Sequence, residues 1–368
     1  MSRIGRRRRC ISIYRSSIKP LTYIVGPCAA ESREQVITTA EQICSQLSDC
    51  RWIFRAGVWK PRTRPDTFQG VGEEGLAWLM EVKKRFGVAV ATEVATPEHV
   101  EAALNAGIDY LWIGARTSAN PIAVQAIAHR VLDLRYEILS SDVKGLLIKN
   151  PVNADAGLWL GNIERLEATG VPVMAVHRGC NHKPCWALAH QVRLARPDIP
   201  MLLDPSHMSG DAAQVPELMK KIAELGLDGA MVEVHCDPKA ALSDAAQQIT
   251  PTCLAQASHS IPSRLRVESV FSTTEPKRED VELNWLRAEI DELDEQLWET
   301  IAARMDVSKR IGEWKKAHGV AAFQPERYKE IVERLKVKGE RLKDAGLTTD
   351  FMLRIWELIH EQSLNEQN

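Results

Sequence analysis

Cys28 in Gly26-Pro-Cys28, His207 in Asp204-Pro-Ser-His207, Glu233 in Val232-Glu-Val-His235 and Asp244 in Ala241-Leu-Ser-Asp244 offer one soft ligand, one imidazole and two carboxylates. Such a mixed set suits a divalent first-row metal ion, which as a Lewis acid would polarise a carbonyl. Singly, each has an ordinary structural explanation: a lone cysteine is usually a packed thiol, a lone histidine a hydrogen-bonded core residue. A rival ligand set, His177, Cys180, His182 and Cys185, lies on one short loop without a spaced second pair. A further group is cationic: Arg55, Lys60, Arg62, Arg116, Lys149 and Arg178. Brought together, these side chains would repel one another unless a multiply charged anion sat among them, so the expected substrate carries phosphate.

A repeated local pattern could bring them together. Short β-branched runs at 23–28, 51–59, 88–94, 110–114, 145–149, 171–177, 200–204 and 229–235 each end in a polar cluster and lead into a helix-like stretch. Eight such units predict an α/β fold, a closed (β/α)8 TIM barrel, rather than an open doubly wound sheet; no Gly-x-Gly-x-x-Gly follows the first strand. In a barrel the carboxyl ends of all strands meet at one mouth, where Glu93, His177, Asp204 and His235 also fall. The stretch from Ala119 to Gly145 is longer than one helix needs, and the repeat does not account for it.

The 368 residues are 45% hydrophobic and 26% charged, with 47 Lys+Arg against 49 Asp+Glu, which excludes a disordered or fibrous chain. No apolar run approaches the roughly 18 to 20 residues of a membrane span, so a soluble protein is expected. Eight irregularly spaced cysteines give no disulfide framework and point to reduced thiols in the cytoplasm. Residues 1–19, with Arg3 and Arg6 to Arg9, read as a basic, solvated stub; a nucleic-acid partner would need a basic fold or an aromatic platform. The barrel is expected over 20–261 and a breaker-rich linker over 262–280. An all-helical domain follows over 281–368, where Pro325 is the only proline.

In that tail Leu283, Leu286, Ile290, Leu293, Leu297, Ile301, Ile311 and Trp314 recur at helical spacing, predicting one helix from Val281 to about His318. At about 1.5 Å per residue it exceeds 50 Å and needs a partner helix, by default a coiled coil or dimer arm. Arg304 and Lys315, eleven residues apart, share a face with the later apolar residues, and cations in an apolar seam need an anion. Pro325 opens a second helix with Arg327 in its first turn, where a cation opposes the helix dipole. A third helix from about Thr349 carries Ser363 and Gln367.

Gly26-Pro-Cys28, Lys60-Pro-Arg-Thr63, Gly114-Ala-Arg116, His177-Arg-Gly179, Asp204-Pro-Ser-His207 and Val232-Glu-Val-His235 with Ala241-Leu-Ser-Asp244 follow one another in an order that, over about residues 20 to 255, resembles 3-deoxy-D-arabino-heptulosonate 7-phosphate (DAHP) synthase in its short form, related to the octulosonate 8-phosphate synthases. Lys60-Pro-Arg-Thr63 favours the heptulosonate enzyme, since its octulosonate relative has Lys-Ala-Asn-Arg there. The resemblance implies condensation of phosphoenolpyruvate with erythrose 4-phosphate. Arg55, Lys60, Arg116, Lys149 and Arg178 would then hold phosphoenolpyruvate, and Arg62 and Thr63 the aldose phosphate. A divalent metal, manganese first, would sit on Cys28, His207, Glu233 and Asp244, and Lys60 or a metal-bound water would move protons.

The tail resembles the all-helical chorismate mutases through Leu286-Arg-x-x-Ile290 with Asp291-x-x-Asp294, Arg304, Gly312, Lys315, Pro325-Glu-Arg327, Glu361-x-Ser363 and Gln367. That resemblance implies three helices from each of two interlocked chains, with Arg287 reaching into the partner's site. Arg287, Arg304 and Arg327 would bind the substrate's carboxylates, with Ser363 beside them, and Lys315 and Gln367 would stabilise the breaking ether oxygen. Gln324 would contact the hydroxyl. A unimolecular rearrangement needs no metal or cofactor, only preorganised cations. The expected protein is bifunctional, with feedback of prephenate or chorismate on the barrel; the alternative is a tail that only senses those products.

Overall fold

The computed structural model describes residues 21–47, 52–61, 66–137, 143–261 and 278–367. Among them eight parallel strands close into a barrel in chain order: β1 (Thr22–Gly26), β2 (Trp52–Arg55), β3 (Ala89–Val94), β4 (Tyr110–Ile113), β5 (Gly145–Lys149), β6 (Val173–His177), β7 (Met201–Leu203) and β8 (Gly229–Glu233). The β1–β8 pair runs from Thr22 opposite Gly229 to Gly26 opposite Glu233, which closes the ring and sets the start of the Cys28 segment beside Glu233. Around the strands lie α1 (Arg33–Gln46), α2 (Glu74–Phe86), α3 (Pro97–Ala106), α4 (Ala115–Ser118), α5 (Pro121–Glu137), α6 (Ala156–Glu167), α7 (Trp186–Ala195), α8 (Pro205–Ser209), α9 (Val215–Glu224) and α10 (Pro251–Ser260).

The two-residue strand period divides the core. Ile24, Ile53, Trp112, Leu147, Val176 and Met231 fill the barrel interior, while Val25, Phe54, Leu111, Ile113 and Ile148 face outward against the helices. Both faces are buried, which is why these strands read as unbroken apolar runs. Several helices start where a side chain takes an orphan backbone N–H: Thr96, Asp155 and Thr250 each accept one at the N-termini of α3, α6 and α10. The unexplained stretch after Ala119 holds the 17-residue α5, directly preceded by the short α4.

The tail forms α11 (Arg278–His318), α12 (Pro325–Leu342) and α13 (Thr349–Gln367). The 41-residue α11 is unbroken, about 60 Å at 1.5 Å per residue. The chain divides into two compact units between Glu289 and Ile290, inside α11 rather than in the stretch 262–280, of which 262–277 lies outside the described residues. Trp285 and Ala288 explain the difference: both are buried, and Trp285 Nε1 donates to the Leu225 carbonyl at 3.0 Å. In the second unit α11 and α13 meet at Gly312, where a Cβ would come within 2.7 Å of the Gln367 Cα. Among the described residues no helix is long and apolar enough to cross a membrane.

Candidate functional site

Cys28 follows β1, His207 lies in α8 just after β7, Glu233 ends β8, and Asp244 lies in the loop beyond. Ligand atoms of Cys28, Glu233 and Asp244 all lie within 4.8 Å of one another. Asp244 sits in the left-handed region at φ +50°, a conformation that costs a non-glycine residue free energy. It accepts from the Cys28 thiol at 2.9 Å. Burial, then the negative charge of Glu233, pushes that thiol up to about 12.

His207 joins from the other side, its Nε2 3.7 Å from Glu233 Oε1. Its Nδ1 lies 2.9 Å from Asp204 Oδ2, and an ionised carboxylate only accepts, so Asp204 selects the tautomer with the proton on Nδ1. The Nε2 lone pair then faces a carboxylate oxygen, an arrangement that a cation between them stabilises. Burial opposes the charge of Asp204, but His207 and Lys149 outweigh it and hold the carboxyl well below its ordinary value. Soft sulfur, imidazole nitrogen and carboxylate oxygens, with the imidazole oriented from behind, fit a divalent metal. Among the described residues the rival set does not form such a group. His177 is buried instead between the rings of Trp159 and Trp186.

The cations open on the same cavity: Arg55, Lys60, Arg116, Lys149 and Arg178 line it together with His207 and Asp244. Arg55 is 1% exposed, donates to Glu233 Oε1 at 3.2 Å and lies 4.6 Å above the centre of the Trp112 ring. Its Nε and Nη1 have no partner among the described residues, an arrangement a bound anion would complete. Lys60 Nζ donates to the Cys28 carbonyl at 3.1 Å and to Glu93 at 3.5 Å. Burial opposes its charge, but Cys28, Glu93 and Glu233 outweigh it and raise its pKa, so it stays cationic. Lys149 donates to Asp204 at 2.6 Å. Arg62 and Thr63 lie outside the described residues.

Gln247 and Gln248 belong to none of the motifs but stand beside the candidate ligands. Gln247 donates to Glu233 Oε2 at 2.7 Å, and Gln248 accepts from the Cys28 backbone N–H at 3.0 Å, so one amide pair steadies two candidate ligands. The only signal was their place three and four residues after Asp244.

In the helical unit Arg304 donates to Ser363, and Lys315 donates to Gln367 at 3.0 Å. Burial lowers the pKa of Arg304. The structure does not bring every expected residue to this cluster within one chain. Arg327 is exposed and donates to Glu330 at 2.7 Å, and Gln324 is exposed ahead of α12. Arg287 is exposed on the part of α11 that packs with the barrel.

Known proteins match both parts. A phospho-2-dehydro-3-deoxyheptonate aldolase of Thermotoga maritima is 29% identical over 245 residues, covering 62% of this chain and 65% of that protein. The chain thus spans just under two thirds of that relative's length. A 2-dehydro-3-deoxyphosphooctonate aldolase of Desulfatibacillum aliphaticivorans is also 29% identical, covering 63% of this chain and 87% of the relative. The crystal structure of a Thermotoga maritima DAHP synthase superposes with a TM-score of 0.55 at 26% identity, covering 65% of this chain and 67% of that one. Residues 12–132 and 166–263 match the DAHP synthetase I family, and residues 286–368 match chorismate mutase type II. With matches that run through every strand of the barrel except β5, the chain belongs to the DAHP synthetase I family and carries a chorismate mutase type II domain at its C-terminal end.

Proposed function

We propose that the barrel condenses phosphoenolpyruvate with erythrose 4-phosphate to DAHP and inorganic phosphate, and that the helical domain rearranges chorismate to prephenate. One observation carries the first activity: the cations Arg55, Lys60, Arg116, Lys149 and Arg178 line one cavity with His207 and Asp244, and the other two candidate ligands, Cys28 and Glu233, lie directly beside that pair. Arg55, Arg116, Lys149 and Arg178 bind the phosphate and carboxylate of phosphoenolpyruvate, with Arg55 Nε and Nη1 as free donors. Carbon 3 of the enol bonds to the aldehyde carbon, water adds at carbon 2, and phosphate leaves with cleavage of its C–O bond. Lys60, cationic beside Glu93, gives a proton to the aldehyde oxygen as it gains charge and recovers one from the water that adds at carbon 2, whose second proton leaves with the phosphate. Holding two anions side by side contributes much of the acceleration. Cys28, His207, Glu233 and Asp244 would hold a divalent cation, manganese first, whose Lewis acidity polarises the aldehyde. The preference for a four-carbon aldose rests on Lys60-Pro-Arg-Thr63, with Arg62 and Thr63 on its phosphate.

In the helical domain Arg304 and Arg327, with Arg287 of a second copy, bind the carboxylates of chorismate, while Lys315 and Gln367 stabilise the ether oxygen and Gln324 contacts the hydroxyl. The acting form is therefore a homodimer or higher oligomer, placed in the cytoplasm. Prephenate or chorismate held there slows the synthase. The test is to assay phosphate release from the two phosphorylated substrates and, separately, loss of chorismate, before and after chelation. Chelation stops only the first activity and manganese restores it; a synthase indifferent to chelation would refute the metal role. Synthase rates unchanged at saturating prephenate and chorismate would refute feedback.

A further inference from the structure

We infer that Trp285 is a positioning residue for the synthase cavity, acting through Trp186 and His177 on Arg178; this rests on the phosphoenolpyruvate reading of that cavity. His177 ends β6 and directly precedes Arg178, which lines the cavity. The His177 ring is fully buried, and neither ring nitrogen has a hydrogen-bond partner among the described residues. Its ring is therefore held by packing: Trp159 lies 6.2 Å away and Trp186 5.5 Å away, centre to centre. Trp186, the first residue of α7, meets Trp285 edge to face at 6.2 Å and 74°.

Trp285 is itself fixed from three sides. Its other neighbour is His190, one turn along α7 from Trp186, stacked at 5.3 Å and 9°. Its Nε1 donates to the Leu225 carbonyl beyond the end of α9, and His190 Nδ1 contacts the Glu289 carboxylate one turn further along α11. Asn284 adds a bond to the Glu224 carbonyl at 3.1 Å. His177, Trp186, Trp285 and His190 are each less than a tenth exposed, so four rings from β6, α7 and α11 form one buried row. Trp285 lies after the segment that matches the synthetase family, which ends at 263, and just before the mutase match, which begins at 286. Neither match accounts for a buried tryptophan there, whereas a socket on the barrel does.

Interiors this closely packed transmit a missing ring to its neighbours. Without Trp285, Trp186 loses its support and the His177 ring, held only by other rings, follows; the strain reaches the Arg178 peptide, which is otherwise fixed by its N–H bond to Asn150 Oδ1 at 2.7 Å and by the Asp204 N–H bond to the His177 carbonyl at 2.8 Å. A misplaced anion ligand weakens substrate binding more than turnover once substrate is bound.

The experiment uses the full-length protein with Trp285→Ala, Trp285→Leu and Trp285→Phe, all checked for folding by circular dichroism and by mutase rate. Binding of phosphoenolpyruvate is measured by calorimetry, and kcat and KM by phosphate release. The Ala and Leu variants are expected to raise Kd and KM for phosphoenolpyruvate roughly threefold to thirtyfold with kcat within about twofold, and Phe to restore most of the binding. Leu fills much of the socket without a ring, so it decides the matter should Ala fail to fold. Unchanged Kd in folded Leu or Ala variants, or a kcat that falls with the folded fraction at constant KM, overturns the inference. A parent that binds phosphoenolpyruvate but does not turn over refutes the synthase reading and leaves the binding comparison to judge Trp285. A parent that does not bind it overturns both.

Discussion

His177 is a buried ring with no hydrogen-bond partner among the described residues, and its ionisation is coupled to folding. Burial, then the charge of Arg178, lowers its pKa from 6.5 to about 3. An unfolded chain takes up this proton near pH 6.5, the folded one only near 3, so between those values the unfolded state holds more protons. The contribution is complete above pH 6.5 and is lost as the solution is acidified, by about 2 kcal/mol at pH 5. His177→Phe keeps a ring against Trp159 and Trp186 and removes the titration. Urea midpoints at pH 8 and pH 5 should therefore differ less for the variant; equal losses in both proteins would show that this ring does not set the acid sensitivity. Asp204 acts differently, through the proton it keeps on His207 Nδ1. Asp204→Asn should weaken manganese binding roughly tenfold to a hundredfold in a direct titration. Cys28, His207 and Glu233 could be singled out in the sequence because each stands at or just after a strand end, and Asp244 only through its motif in the loop beyond β8; that they hold a metal is the proposal. The roles of Asp204, Gln247 and Gln248 were not legible, because an orienting hydrogen bond depends on rotamers that spacing does not encode.

Strands were the most legible elements. Parallel barrel strands are buried on both faces, so the runs at 88–94 and 145–149 coincide almost residue for residue with β3 and β5. The stretch after Ala119 was opaque because α5, at 17 residues, runs longer than the other helices around the barrel, and 138–142 lie outside the described residues. Pro325 and Thr349 marked α12 and α13 correctly, being a proline at a first helical position and a residue near a helix start. The two compact units divide at Glu289–Ile290 because Trp285 and Ala288 are buried in the first unit, a packing that breakers in 262–280 do not announce. Gly312 shows how close α11 and α13 run: a Cβ there would meet the Gln367 Cα at 2.7 Å, and that contact is backbone, which cannot swing aside. Gly312→Ala is expected to cost the helical domain about 1 to 3 kcal/mol and to displace Gln367 from Lys315. Mutase turnover should fall while synthase turnover holds; a variant with parental mutase kinetics would mean the helices can part without consequence.

At the scale of the whole molecule, α11 presents apolar side chains to solvent in a single chain: Ile290, Leu293, Leu297 and Trp298 are 58%, 62%, 52% and 64% exposed. A stripe of this size on one helix calls for cover, and Arg327 is exposed and paired with Glu330 rather than joined to the Arg304–Lys315 cluster of its own chain. A second copy answers both needs, since a two-fold interface covers the same stripe on each chain and delivers one residue from each to every site. Leu293→Glu with Leu297→Glu should therefore lower mutase turnover by at least roughly tenfold while leaving the synthase intact. A sharper consequence follows from shared sites. Arg287→Ala and Arg304→Ala proteins are each expected to lack mutase activity. When mixed and re-associated, half of the dimers are mixed, and in each of these one site carries both lesions while the other carries neither. About a quarter of all sites are then intact, so mixing should recover about a quarter of parental turnover. No recovery on mixing, with exchange of chains verified, would place Arg287 in the site of its own chain or outside any site.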